Sequence, residues 1–350
     1  MRWCRGDVAH PIKPLEGSGS RADRSAREPA LRCYTEERPM TVSTIDRPAS
    51  QSRLNSTTLL AFSALASTIL LVAMGSIVRV TGYGLGCPDW PLCYGQPIPP
   101  ALTGAWVEFV HRLLGAVTGL QIVLLALLVW RQHRDRPWLV RAAVGAIGLL
   151  AVQVGLGGLH VILEIPPETG LLHTGTAMLI VGLVALQVAG IVPALRPLRE
   201  SDLARDRSFR RWLSLTALVT YGLLLTGSYV TRTGASLACP AFPWCGPPAT
   251  SRLASIQMLH RYVAFGVAFL ALVLVGWVMR RHREGPPRRF ALGLGLLLAL
   301  QFGLGITNVL LRLPMWSRIL HLTVAATFWA GLVILWGVSH PFRSPLETRG

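Results

Sequence analysis

Lysine is all but missing. Lys13 stands alone beside 33 arginines, and with 17 acidic residues the formal net charge is +17 over 350 residues. Charged residues of both signs make up 15%, where a soluble domain carries about 25%. Hydrophobic residues reach 51% and mean hydropathy is +0.46. Such a shortage of charge excludes a string of soluble domains and puts most of the chain in lipid. Cysteine is scarce too: six are too few for a disulfide scaffold, so their positions matter more than their number. Also lacking is the alternation over about 10 residues that a membrane barrel strand needs. An arginine surplus can mark nucleic-acid binding, but its placement gives it another reason, and no nucleic-acid partner is expected.

Eight apolar runs, near 57–78, 110–130, 138–160, 170–192, 212–230, 258–279, 290–311 and 318–338, can each cross the hydrocarbon core as a helix of roughly 20 residues. Lipid offers no hydrogen-bond partner, so each run must satisfy its own backbone as a helix. The expected fold is therefore an all-α membrane protein with eight transmembrane helices. The connections after spans 2, 4 and 6, with Arg141 just inside span 3, hold fifteen arginines, while the four opposite connections, with Arg318 at the first residue of span 8, hold Arg79, Arg232, Arg252, Arg312 and Arg318. By the positive-inside rule the arginine-rich connections and both termini are cytoplasmic. The charge is thus a topology signal. Residues 1–55, rich in Arg, Pro, Ser and acid, read as a disordered cytoplasmic tail without the apolar core of a signal peptide. Met40 is a second candidate start, and Cys4 and Cys33 in this tail carry no assigned role. Residues 341–350 read as a second cytoplasmic tail.

The chain repeats itself after about 150 residues. Gly86-Cys87-Pro88-Asp89-Trp90-Pro91-Leu92-Cys93 parallels Ala238-Cys239-Pro240-Ala241-Phe242-Pro243-Trp244-Cys245, at an offset of 152. Val110-His111-Arg112 parallels Leu259-His260-Arg261 at 149. Gln153-Val154-Gly155-Leu156-Gly157 parallels Gln301-Phe302-Gly303-Leu304-Gly305 at 148, as His173 does His321. Four spans per repeat is an even number, so both halves enter the membrane in the same sense. The expectation is two tandem four-helix bundles, 56–195 and 213–340, joined by a cytoplasmic linker 196–212 and related by a pseudo-two-fold axis along the membrane normal.

Of the histidines expected within the spans, only His111, His173, His260 and His321 obey the repeat. Each is expected in the first turn or so of an even-numbered span, near the outer surface. Two such residues per bundle, on different helices, can clamp a flat macrocycle from both faces, imidazole being a common iron ligand and bundle cores frequent cofactor sites. The plainer reading, interfacial histidines satisfied by neighbours, suits one residue better than four in register, because ionisable groups are costly in lipid. Haem is favoured over zinc because no carboxylate or cysteine recurs beside them at zinc spacing. His133 and His282 read as solvated, His340 as a cap on the last span, His10 as part of the tail. His160, whose place in the second half is taken by Asn308, reads as structural or as lining a site.

Cys87 with Cys93, and Cys239 with Cys245, sit in the first and third outer loops, where thiols can oxidise. Local pairing is favoured since the spacing repeats, as a loop staple or as a redox or access control. Glu108 precedes His111 by three residues and has only Gln257 as its counterpart. It is either a surface acid at a helix start or the mark of proton-coupled chemistry confined to the first half. Arg112 and Arg261 follow a ligand histidine. With Arg79 and Arg232 they are either partners for haem propionates or interfacial anchors.

Taken together, Val78-Arg79-Val80-Thr81-Gly82, Cys87 to Gly95, Glu108 to Arg112, Leu172-His173-Thr174, Leu259-His260-Arg261 and Leu320-His321 resemble the haem A synthase family, in its type with cysteine pairs in the outer loops. The resemblance covers about 57–340. It implies a membrane oxidoreductase converting the C8 methyl of haem O to the formyl of haem A for terminal oxidases. It further implies substrate haem O on His111 and His173, a permanent haem b on His260 and His321, and Glu108 as the family's acid in the first outer loop. Disulfides Cys87–Cys93 and Cys239–Cys245 are implied as well. Haem O synthase and an electron donor are the expected partners besides the lipid bilayer, and the arginine bias suggests a GC-rich bacterium, hence the cell membrane. The rival readings are a dihaem electron carrier of the cytochrome b type, which needs neither the Glu108/Gln257 asymmetry nor the matched cysteines, and a transporter built from repeated halves.

Overall fold

The computed structural model describes residues 56–246 and 251–340. The two tails, with Cys4, His10, Lys13, Cys33 and Met40, lie outside the described residues. Among the described residues eight helices are long and apolar enough to span a membrane: α1 Ser56–Thr81, α2 Thr103–Gln132, α3 Pro137–Ile162, α4 Pro167–Ile191, α5 Arg207–Arg232, α6 Arg252–Arg281, α7 Pro286–Leu310 and α8 Met315–Ser339. Every span is thus present, and most run several residues past the apolar stretch, because local capping rather than hydropathy sets the ends. α3, α4 and α7 open on proline, which tolerates the first helical turn where no N–H partner is needed. α5 opens where Asp206 Oδ1 accepts the N–H of Ser208 and Phe209 at 2.9 and 3.1 Å, and α6 where Ser251 accepts that of Ala254 at 3.1 Å. The expected linker 196–212 is correspondingly shorter: its last six residues are the first turns of α5, and short helical turns at 196–199 and 202–204 fill much of the rest.

Helix packing repeats between the halves. In the first, α1 packs on α2, α2 on α3, α3 on α4 and α4 back on α1; in the second, α5 to α8 close the same ring. The halves meet where α4 packs on α8 and α5, and α1 on α8. Small residues allow this close approach, as expected where dispersion rather than water drives helix association. Gly182 of α4 lies under the Trp329 ring of α8, whose indole N–H donates to the Met178 carbonyl at 2.7 Å, and Gly337 of α8 abuts Leu186 and Ala189.

The loops carrying the cysteines repeat in backbone detail as well. α1 and α5 are each followed by a glycine in the left-handed region, Gly82 at φ 76° and Gly234 at φ 74°, which ends a helix without the clash a Cβ would cause. The α3–α4 and α7–α8 turns use two consecutive non-glycine residues at positive φ, Glu164 and Ile165 in one and Arg312 and Leu313 in the other. In both, the second of these donates its N–H to the carbonyl five residues back, at 2.8 Å.

Candidate functional site

The four repeating histidines sit deeper than the first turn: His111 and His260 are the ninth residues of α2 and α6, His173 and His321 the seventh of α4 and α8. The helices simply start further out than their apolar cores. In each half the two histidine-bearing helices are diagonal partners in the ring, which places the ligand candidates on opposite walls of one bundle.

Each imidazole meets a glycine on an adjacent helix. A Cβ on Gly75 (α1) would come within 3.1 Å of His111 Cε1, one on Gly157 (α3) within 3.4 Å of His173 Cε1, one on Gly227 (α5) within 3.0 Å of His260 Cε1 and one on Gly305 (α7) within 3.3 Å of His321 Cε1. The missing side chains leave room for the Cε1 edge of each ring beside the neighbouring helix. The Gln153 amide nitrogen lies 3.1 Å from His173 Nε2, and that of Gln301 lies 3.3 Å from His321 Nε2. Thr226 Oγ1 lies 3.0 Å from His260 Nδ1. Nδ1 of His111, His173 and His321 is buried with no partner. A cavity of about 240 Å³ lies between His260 and His321. Orphaned imidazole nitrogens in a lipid-embedded bundle fit an iron porphyrin, which would satisfy them. Among the described residues no three His, Cys, Asp or Glu gather as an ion-binding cluster.

The cysteines pair locally, Cys87 with Cys93 and Cys239 with Cys245. Each disulfide loop is clamped to the helix that follows it by the same two positions. Cys87 N–H donates to Glu108 Oε2 at 3.0 Å, and Cys239 N–H donates to Gln257 Oε1 at 2.5 Å. Arg112 donates to the carbonyls of Cys87, Asp89 and Leu92 at 3.2, 3.0 and 2.7 Å. Arg261 donates to those of Cys239, Ala241 and Pro243 at 2.7, 2.7 and 3.0 Å. These two arginines therefore hold loops, a use that neither propionate pairing nor interfacial anchoring anticipated. The helix also relocates Glu108. It belongs to the second turn of α2, not to a loop, and at 4% exposure it is no surface acid. Its Oε1 takes Arg112 at 2.6 Å, whereas the Gln257 amide donates to Ser236 carbonyl at 2.8 Å. The asymmetry between halves is thus one of charge within a common scaffold.

In the first loop the Asp89 carboxylate accepts the N–H of Gly95 and Tyr94 at 2.7 and 2.6 Å. The Gly95 bond foremost, with Tyr94 and the Arg112 charge, holds it below the ordinary 3.8. A carboxylate lowered on folding stabilises the loop fully above about pH 4 and stops doing so as pH falls through its folded value. Amide exchange at Tyr94 and Gly95 should accelerate over that acid range and lose its pH break in Asp89→Asn; an unchanged break would assign it to another group.

His160 is not isolated at the end of α3. Its ring is stacked at 6.4 Å on His173, its Nδ1 lies 2.7 Å from Thr169 Oγ1, and its Nε2 lies 3.4 Å from Arg232 Nη1 of the other half. At the opposite end His282 is not merely solvated but lies 3.0 Å from Asp202, while His340 caps α8 as expected, with Nδ1 2.8 Å from Trp336 carbonyl. The partners Gln153, Gln301, Gly75 and Gly227 were missed by site reasoning. The repeat offset flagged the glutamines, but glycine is too common in apolar helices for 75 and 227 to stand out.

Eight spanning helices, two imidazole pairs on diagonal helices and disulfide-capped loops define an all-helical, multi-pass membrane protein with repeating halves. The sequence matches the COX15-CtaA family, described as cytochrome oxidase assembly protein, over residues 58–105 and 102–333, and the chain belongs to that family. Among curated relatives it is 30% identical to the Heme A synthase of Shouchella clausii over 251 residues, covering 69% of this chain and 83% of the relative. It is 27% identical to that of Alkalihalophilus pseudofirmus over 274 residues, 75% and 91% of the two chains, and 28% identical to that of Geobacillus kaustophilus over 269 residues, 74% and 83%.

Proposed function

We propose that this chain is a haem A synthase, oxidising the C8 methyl of haem O to a formyl group. The observation that carries the reading is the fourfold unit of histidine against glycine, two units facing across each bundle. The family membership and the names of its relatives support the same reaction. In this reading the half 56–195 holds substrate haem O through His111 and His173, and the half 213–340 holds haem b through His260 and His321. The halves are related by a pseudo-two-fold axis along the membrane normal, in keeping with their identical helix pairing. Haem b, when bound, supplies one-electron chemistry. The chain's own groups do the rest. The glycines set the imidazole planes, Gln153 and Gln301 hold ring nitrogens, and the bundles keep water from the reacting face. Glu108, one turn outward of His111, can hold and release a proton where Gln257 cannot. Arg79 and Arg232 remain for propionate carboxylates. The disulfide loops face the outer side with the histidines below them, and both termini are cytoplasmic. Haem O synthase supplies the substrate, and a separate redox partner exchanges the electrons that the net four-electron oxidation of methyl to formyl involves.

Co-expression with a haem O supplier, followed by acid extraction and chromatography of the pigment, tests this directly. Haem A is expected in the extract. Haem O recovered unchanged beside haem b would leave a dihaem cytochrome of the electron-transfer type instead.

A further inference from the structure

The cavity between His260 and His321 is not walled by its own half alone. Arg79, in the last turn of α1, lines it together with Arg232 at the end of α5 and Arg318 in the first turn of α8. Arg318 and Arg232 both lie within electrostatic range of Arg79. Among the described residues none of them forms an ion pair with a carboxylate, unlike Arg112, which holds Glu108. Arg232 Nε is buried without a partner. Its guanidinium rests where a side chain on Gly170 of α4 would stand, and reaches His160 of the first half. Gly170 occupies the place that Arg318 holds in the second half, at the repeat offset of 148. Three neighbouring cations without counter-ions, half-buried beside an apolar cavity, are costly unless an anion joins them.

We infer that Arg79, Arg232 and Arg318 form a cradle for the paired carboxylates of the porphyrin in the second half, and that this cradle is completed across the seam by the first half. The inference rests on the haem reading above and deepens it. It assigns the porphyrin carboxylates to other arginines than Arg112 and Arg261, whose donors meet loop carbonyls. It adds Arg318, which lies one turn outward of His321 on the same helix. It also makes the second site dependent on α1. Guanidinium suits the task because its planar donor fork matches a carboxylate.

The test uses the full chain in detergent, carrying His111→Ala and His173→Ala so that only the second site is loaded. Ferric protoporphyrin IX and its dimethyl ester, which lacks the carboxylate charge, are titrated by Soret absorbance. The free acid should bind more tightly than the ester. Arg79→Gln or Arg318→Gln should each weaken the acid by about tenfold or more with little change for the ester, so that the preference shrinks. Arg79→Lys should restore part of it and also guards against a misfolded glutamine variant. A preference unchanged in Arg79→Gln overturns the shared cradle, as it would if these cations served phospholipid headgroups. Absence of any Soret band, in this background and in the chain with all four histidines, overturns the haem reading and the cradle with it.

Discussion

Glu108→Gln should leave haem content unchanged while haem A formation falls about 10²- to 10⁴-fold, the range for losing a general acid or base. The second half supplies the structural control. Gln257 holds the same place on α6, is equally buried, and accepts the Cys239 N–H as Glu108 accepts that of Cys87. An amide at 108 can therefore keep the disulfide loop on its helix. What it cannot do is carry a negative charge or exchange a proton one turn outward of His111. Pyridine haemochrome quantitation gives the haem content, and extracted pigment gives the product. Full turnover with the amide would reduce Glu108 to a loop clamp. Loss of haem together with activity would place its role in holding the site.

Arg112→Ala should be the most disruptive single change in the outer loops, and more so than Arg261→Ala. Both remove a guanidinium that gathers three loop carbonyls. Only the first also strands a buried carboxylate, and removing one partner of a buried ion pair costs about 3–5 kcal/mol. In Arg261→Ala the neighbour is a neutral amide that already donates to Ser236 carbonyl. The excess cost should therefore disappear when the carboxylate is neutralised as well. Glu108→Gln with Arg112→Ala should be nearly as stable as Arg261→Ala, a double-mutant coupling of the kind expected for directly bonded groups. Thermal unfolding of the detergent-solubilised variants measures it. Additive losses at 108 and 112 would mean that the pair does not act as a unit.

Much of the site was legible because duplication makes one-dimensional spacing informative. Two offsets, 149 and 148, pair His111 with His260 and His173 with His321; His133 and His282 share the offset of 149 but fall in the basic connections, outside the apolar runs. The same comparison exposed Glu108 against Gln257 and the matched cysteine spacing, and the local disulfides follow it. Depth was misjudged. The helices begin up to seven residues outside their apolar cores, since capping by Ser251 and proline at the first turn are local events that hydropathy averages away. For arginine, adjacency in the chain does not show which acceptors lie nearest. A residue beside a ligand histidine is a natural propionate partner on paper, and Arg112 and Arg261 each donate to three carbonyls of a disulfide loop.

The sequence by itself determined that this is an eight-span, duplicated membrane protein with four histidines in register. Hydrophobic length, charge bias and repeat offset are properties of a string and need no packing to be read. Only the tertiary structure decided which glycine each imidazole lies on, that Glu108 is buried in a loop clamp, and that Arg79 and Arg232 stand at the seam between the halves. Those are choices of neighbour, fixed by α1, α4, α5 and α8 packing together. A chain records no such adjacency until its helices have found one another in the bilayer.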